Sequence, residues 1–378
     1  LPHFVSASAL GLQGRPPPSE RITLGVIGTG GRGVSLINML LGQKDAEVLA
    51  VCDVDARHLK NGVQAVRKNS GKECAAYKDF RQLLERKDID AVVVATPDHW
   101  HGLISIAAAK AGKDIYCEKP LVNSVAEGRA LCRAVEENKR ILQTGSHERS
   151  TPSIRFACEL VRNGLLGKIH TVRINLPCSD GHHQKARALK TVPPEEPVPE
   201  GFDYDFWLGP APKVSYTPLR THFWWRFILA YGGGEMTDRG AHIIDLAQLG
   251  LGTDDTGPVE IEAKGVQVQG SLYDVFWDYE FTNVYANGVR MIGSTATPRG
   301  LKFEGTNGWI FIHIHGGKLE ADPADLLKTD ASKLKLALGR SPGHVRNFLD
   351  SVKSRQQPVA PAEVGHRTAT ICHLNNIA

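Results

Sequence analysis

The feature that most constrains this chain is Gly28-Thr-Gly30-Gly-Arg-Gly33, set between the short apolar run Ile22–Ile27 and a helix pattern over Val34–Leu41. In a strand–turn–helix unit the three spaced glycines have separate tasks. The first makes the tight turn, the second lets backbone approach a pyrophosphate, and the third lets helix and strand pack closely. The helix N-terminus then presents free N–H groups to the phosphates, so Gly31 and Arg32 belong to the same site. Asp53 follows the strand-like run Val48–Cys52, 20 residues beyond Gly33. A carboxylate there accepts from both ribose hydroxyls and repels a 2′-phosphate, which predicts NAD in preference to NADP. Asp55 is an alternative ribose partner, and Arg32 or Arg57 would soften the preference.

Residues 21–145 continue the alternation. Strand-like Ala91–Ala95, Asp114–Cys117 and Ile141–Thr144 interleave with helix patterns over Ala56–Lys68, Asp79–Arg86, His101–Ala111 and Val125–Lys139. Ala91–Ala95 is apolar on both faces, as a parallel strand buried between helix layers requires. The fold class is therefore α/β over 21–145, a doubly wound parallel sheet of the Rossmann type. From residue 146 the pattern changes. A helix over Ser153–Asn163 and a strand over Ile169–Ile174 precede an irregular, aromatic-rich stretch at 177–235. Strand patterns then run in succession at Val259–Val268, Val275–Phe281, Arg290–Ser294 and Gly308–His315, with a hairpin signal at Asn287-Gly288. This predicts an α+β domain over 146–378 with a large open, mainly antiparallel sheet.

With 45 basic and 41 acidic residues among 378, the net charge is only +4 and unclustered, which gives no footprint for nucleic acid or an acidic membrane. No apolar run approaches the ~18–20 residues of a transmembrane helix. Seven cysteines without a CxxC pair argue against a disulfide framework or a zinc ribbon. Residues 1–20 stand apart as an arm or leader remnant: Phe4–Ala9 looks like the end of an apolar leader, and Pro16–Pro18 makes a stiff linker. His373–Ala378 stops within a helix pattern, so a short further piece is expected.

Ligands of an open parallel sheet sit at the carboxyl ends of its strands. Thr96-Pro-Asp-His-Trp-His101 follows one such strand and Glu118-Lys119-Pro120 the next. This places Thr96, Pro97, His101 and Glu118 at the cofactor. Lys119, held extended by Pro120, can orient a hydroxyl and stabilise developing negative charge. Further on, Asp238 and His242 are spaced i, i+4, with Asp245 seven on, forming one polar helix stripe. A histidine can take an alcohol's proton while hydride leaves carbon, and a nearby carboxylate fixes its tautomer. Trp207, Trp224, Trp225, Arg226 and Tyr231 suit stacking on sugar C–H faces and binding of hydroxyls; core plugs or subunit contacts use the same residues. Trp309, Phe311, His313 and His315 share one strand face, which covers an interface or lines the site mouth. No third ligand accompanies His182-His183 or His313-x-His315, so no metal site is expected.

Together the glycine loop, TP-x-x-x-H, Glu118-Lys-Pro120, Asp205-Phe-Trp-Leu-Gly-Pro-Ala-Pro212, Gly232–Asp245 and Gly365–His373 resemble the Gfo/Idh/MocA oxidoreductase family. The resemblance covers nearly the whole chain. It implies a nicotinamide cofactor, a sugar or polyol substrate, and a catalytic set of Lys119, Asp238 and His242. It also implies assembly into a dimer or tetramer through the open sheet, with an N-terminal arm that embraces a neighbour and helps to hold the cofactor. The similar branch often carries a twin-arginine leader, which implies export to the periplasm. Arg239 departs from that branch, where Trp is frequent, and unsettles the local substrate contacts. The expected function is NAD-dependent hydride transfer at a secondary hydroxyl of a sugar or glycoside. The alternative is a redox-neutral glycosidase or lyase that retains NAD and passes through a keto-sugar, with Tyr231 or His183 as the extra acid/base residue. A non-catalytic cofactor-binding sensor is opposed by the intact Lys119, Asp238 and His242.

Overall fold

The computed structural model describes residues 16–378. The arm and leader readings fall mainly on residues 1–15, outside the described residues. Six strands build the first sheet: β1 (Ile22–Ile27), β2 (Ala46–Cys52), β3 (Ala75–Tyr77), β4 (Ala91–Val94), β5 (Asp114–Cys117) and β6 (Leu142–Thr144). Their order is β3-β2-β1-β4-β5-β6, all parallel. The order reverses between β1 and β4, which opens a crevice at their carboxyl ends. Helices α1 (Gly31–Leu41), α2 (Ala56–Ser70), α3 (Phe80–Leu84), α4 (Asp98–Lys110) and α5 (Val125–Glu137) make the crossovers. Two of them begin three residues before the apolar periodicity does. The loops after β1 and β4 feed straight into α1 and α4, so the polar ligand-facing residues are themselves helical. Strand β3 lacks an apolar run and is not legible from periodicity.

The second sheet has seven strands: β7 (Ile169–Asn175), β8 (Glu260–Val266), β9 (Asp278–Val284), β10 (Arg290–Ser294), β11 (Gly300–Gly305), β12 (Gly308–His313) and β13 (Leu319–Asp322). In the order β13-β12-β11-β7-β10-β9-β8 only the β7–β10 pair is parallel. The mainly antiparallel sheet is as expected. Strands β11 and β13 are additions, and β9 lies three residues beyond the pattern at Val275–Phe281. Ile310 and Ile312 point into the core, while Lys302 and Trp309 pair on the outer face with Nζ 4.3 Å from the ring centre. Helices α6 (Pro152–Arg162) and α10 (Gly240–Leu251) pack on the sheet, and the domain also holds α7 (Gly181–Ala188), α8 (Tyr204–Leu208) and α9 (Glu235–Asp238).

The far end of the chain returns to the first domain. In α11 (His344–Ser354), Val345, Phe348, Leu349 and Val352 join the core formed by Ile22, Leu24, Val26 and Leu36. Gln143 Nε2 donates to the His344 carbonyl at 2.7 Å, and Arg346 pairs with Asp45 at 2.6 Å. Helix α12 (Ala362–Ile377) gives Ala362 and Ala369 to the first domain's other core, and Ile371 and Cys372 to the second domain's core. The two sheets separate between β6 and β7, while the closing helices α11 and α12 pack on the first domain's cores. Periodicity shows that a helix is amphipathic, not which surface it covers. Because Phe348 is fully buried on the first domain, F348A should destabilise the full chain by about 3–5 kcal/mol in denaturant unfolding.

Candidate functional site

A cavity of about 570 Å³ lies at the carboxyl ends of the first sheet and is roofed by the second domain. Gly28 turns the chain at φ +88°, and a Cβ there would lie 2.6 Å from the Ala95 carbonyl oxygen. At Gly33 a Cβ would meet the Gly28 oxygen at 1.9 Å. Gly33 thus serves the turn and does not line the cavity, whereas Gly28, Gly30, Gly31 and Arg32 do. Open space beyond Gly31 leaves the first N–H groups of α1 accessible, as a pyrophosphate requires. Asp53 lines the same wall, with Oδ2 accepting from Thr29 N at 2.7 Å and Oδ1 from Asp55 N at 2.9 Å. Burial pushes its carboxyl up while these N–H groups oppose the shift. Asp55 instead caps α2 and holds the Arg57 guanidinium at 3.0 Å.

The second domain reaches over this end of the cleft. Ala56 N donates to Gly201 O at 2.9 Å, and Asp203 N to Val54 O at 3.0 Å. The crossing brings Phe202, Phe206 and His222 to the cavity wall beside His58. Sequence reasoning missed these residues, because the long loop carries no periodicity to say where it lands.

The loops after β4 and β5 arrive as expected. Thr96 and Pro97 line the cavity. The buried His101 ring lies between the Pro120 oxygen, 2.7 Å away, and the Thr96 oxygen, 2.9 Å away. Both ring nitrogens are thereby committed, so His101 braces the two loops. Glu118 holds Arg32 Nε at 2.7 Å. Lys119 crosses to the second domain, donating to Asp238 Oδ1 at 2.7 Å and to the Asp238 carbonyl at 2.8 Å.

Asp238 and His242 do not share one continuous helix. Helix α9 ends at Asp238, α10 starts at Gly240, and His242 N donates to Arg239 O at 3.1 Å in a tighter turn. Both side chains still line the cavity. Burial opposes the charge of Asp238, but Lys119, Arg226 and Arg239 outweigh it and hold the carboxyl far below the usual carboxylate range. Burial, with Lys119, His147 and His315 adding to it, pushes His242 well below the usual histidine value. Its Nδ1 is buried with no hydrogen-bond partner among the described residues. The Asp238 carboxylate is spent on Lys119, so it positions the lysine and does not fix the imidazole tautomer.

Of the substrate candidates, Trp207, Trp225 and Arg226 line the cavity, with the Arg226 guanidinium 4.5 Å from the Trp225 ring centre. Two others do not. Tyr231 packs against Trp207 and His99 with ring centres 5.0 and 5.1 Å apart, inside the aromatic core. Asp245 is buried behind α10, where it accepts from Arg149 Nε at 2.7 Å and Thr368 Oγ1 at 3.2 Å. A buried guanidinium needs paired carboxylates, and Asp254 supplies the second at 2.7 Å. Trp224 stacks on Tyr273, away from the cavity. Asp98 and His147 also line the cavity without having been singled out, and so does His315, from the strand face that was read as covering an interface or lining the site mouth. Asp98 is fully buried beside Lys119 and Arg226, and its desolvation raises the carboxyl well above its usual range. His147 follows β6, so its signal was available: it too opens on the ligand edge of the parallel sheet.

Residues 22–146 match the model described as the oxidoreductase family's NAD-binding Rossmann fold, and residues 151–378 match that family's C-terminal alpha/beta domain. The chain belongs to the Gfo/Idh/MocA oxidoreductase family. It is similar to inositol 2-dehydrogenase 1 of Saccharopolyspora erythraea, with 32% identity over 53% of this chain and 58% of that one. A glycosyl hydrolase family 109 protein of the same organism is 32% identical over 40% of this chain and 34% of its own length. The chain thus spans less than two thirds of either relative. The solved WlbA dehydrogenase from Bordetella pertussis, in complex with NADH and UDP-GlcNAcA, shares the fold with TM-score 0.66 at 16% identity, covering 94% of this chain and 97% of that one. The first domain is an NAD-binding Rossmann domain, and its unsubstituted glycine wall, open helix N-terminus and Asp53 carboxylate fit that cofactor.

Since Asp245 and Arg149 pair in the family member's interior, R149M should cost about 3–5 kcal/mol in chemical denaturation by leaving Asp245 buried and alone. Bound-NAD content per folded molecule should hardly change.

Proposed function

We propose that this chain is an NAD-dependent oxidoreductase that transfers a hydride between a secondary hydroxyl of a sugar or polyol and the nicotinamide. The observation that carries the reading is the meeting of the Lys119–Asp238 pair with a buried, unpartnered His242 in the cavity that the glycine loop opens. NAD, when bound, supplies the hydride acceptor. The chain's own residues handle the proton and the charge. His242 is neutral at neutral pH and accepts the hydroxyl proton. Lys119, aimed by two hydrogen bonds from its ammonium to Asp238, orients that hydroxyl and stabilises developing charge on its oxygen. Trp225 and Arg226 offer a stacking face and donors to the remaining hydroxyls. The Asp53 carboxylate supports NAD over NADP.

Both acid/base candidates for the redox-neutral alternative are displaced by their packing. Tyr231 is a core residue, and His183 is buried with Nε2 3.2 Å from Glu235 Oε2. We further propose that the outer face of the second sheet associates with another copy of the chain, which light scattering would read as a dimer or tetramer. Export is proposed on the Phe4–Ala9 stretch alone. No helix among the described residues is long and apolar enough to cross a membrane.

The first experiment releases and quantifies bound NAD(H) and NADP(H). It then follows NADH formation with external NAD over a panel including myo-inositol, levoglucosan and aryl glycosides. Stoichiometric NADH with one of them is the expected result. Retained NAD, no NADH and release of an aglycone would overturn the reading. H242N should lower kcat by about 10²–10⁴-fold. Because the His242 value is depressed, kcat/KM should stay flat as pH falls through the usual histidine range and decline only in stronger acid. Lys119 is one cause of that depression, so the residual activity of K119M should show its acid limb at higher pH than the wild type.

A further inference from the structure

Among the imidazoles lining the cavity, His315 is one to which the hydride-transfer reading gives no task. His315 lies just past the end of β12, at φ +59°, and is followed by Gly316 and Gly317, both also at positive φ. One carboxylate organises it. Glu148, buried in the turn after β6, accepts through Oε1 from the His315 backbone N–H at 3.0 Å, and the same oxygen lies 3.0 Å from His315 Nδ1. Its other oxygen accepts from Thr151 Oγ1 at 3.3 Å. Burial works against the Glu148 charge, but the His315 hydrogen bonds and the adjacent His147 ring hold the carboxyl below its usual range. With Nδ1 committed to the carboxylate, Nε2 is the reactive atom, and it has no hydrogen-bond partner among the described residues. The side chain is 45% exposed and lines the cavity, its ring centre 5.5 Å from that of His242.

We propose that Glu148 and His315 form a second acid/base centre, with His315 the catalytic residue for a carbon-bound proton and Glu148 its positioning residue. The proposal rests on the hydride-transfer reading, since the proton concerned is on the carbon next to the one oxidised. Once the hydroxyl has become a ketone, His315 Nε2 takes that proton. The C–H pair becomes the enolate double bond, and the carbonyl π pair moves to oxygen, where the Lys119 ammonium balances it. Return of the proton from the imidazolium restores the ketone, so the step involves no net redox change. The substrate class is a sugar or polyol with a C–H beside the oxidised carbon.

The test uses the full-length protein loaded with cofactor. Keto-polyols and keto-sugars, beginning with 2-keto-myo-inositol, are first screened for reduction with NADH. Failure of all of them counts against the hydride-transfer reading itself. A ketone that is reduced is then incubated in D2O with the NAD-loaded protein, and loss of its α-proton signal is followed by NMR against an enzyme-free control. Enzyme-dependent exchange is the expected result. H315N, chosen because Asn tolerates the left-handed backbone, should lower the ratio of exchange to hydride transfer by about 100-fold. E148Q, which keeps an acceptor but loses the charge, should fall between H315N and the wild type. A purely structural role would lower both rates together and leave the ratio unchanged. That outcome, or a reduced ketone whose α-proton does not exchange, overturns the proposal.

Discussion

The site depends on one ion pair that spans the two domains. Lys119 comes from the end of β5 and Asp238 from the end of α9, and they meet at 2.7 Å with only 15% and 25% of their side chains exposed. Two charges so placed lose much of their hydration, and their attraction offsets that loss only when geometry and further hydrogen bonds are good. The second bond, from Lys119 to the Asp238 carbonyl, supplies one. The same contact leaves His242 without a carboxylate partner, in a field set by a nearby ammonium and two other imidazoles. That environment keeps the imidazole neutral, the form in which it can accept a proton.

The α9–α10 segment can present Asp238 and His242 forward because it is anchored behind. Glu235 gathers Arg239 at 2.8 Å and His183 at 3.2 Å, and Arg299 bridges to Asp180 at 2.9 Å. One turn beyond His242, Asp245 ties α10 to Arg149, whose guanidinium also binds Asp254. Apart from Arg239, none of these anchoring residues lines the cavity. The polar residues of one short segment thus divide into a front that faces the cavity and a back that fixes position. Arg239, the family departure, belongs to both, since it lines the cavity and holds Glu235.

The cleft is closed at its other end by backbone contacts between domains. The edge formed by Val54–Ala56 pairs with residues 201–203 of the second domain. Trp207 O accepts from both Trp100 Nε1, at 2.9 Å, and His99 Nε2, at 3.0 Å. Helix α12 fastens the two cores from below. The cofactor wall and the substrate wall are therefore held by contacts distributed along the whole chain, and no single hinge segment carries them.

The sequence by itself determined the first domain and its cofactor wall. Each of these rests on short-range chemistry. A strand end, a glycine turn and a helix start occupy a few consecutive residues, and the carboxyl edge of a parallel sheet is set by chain direction. Tertiary structure decided which polar residues beyond that edge face the cavity. Asp245 and Tyr231 carried suitable groups but were claimed by a buried guanidinium and an aromatic core. Asp238 paired with Lys119 instead of His242, because α9 ends where a continuous helix was expected. His147 and His315 are brought together from positions 168 residues apart (315 − 147). Spacing records neighbours along one element, whereas a site is made of side chains whose proximity is set by how the elements pack.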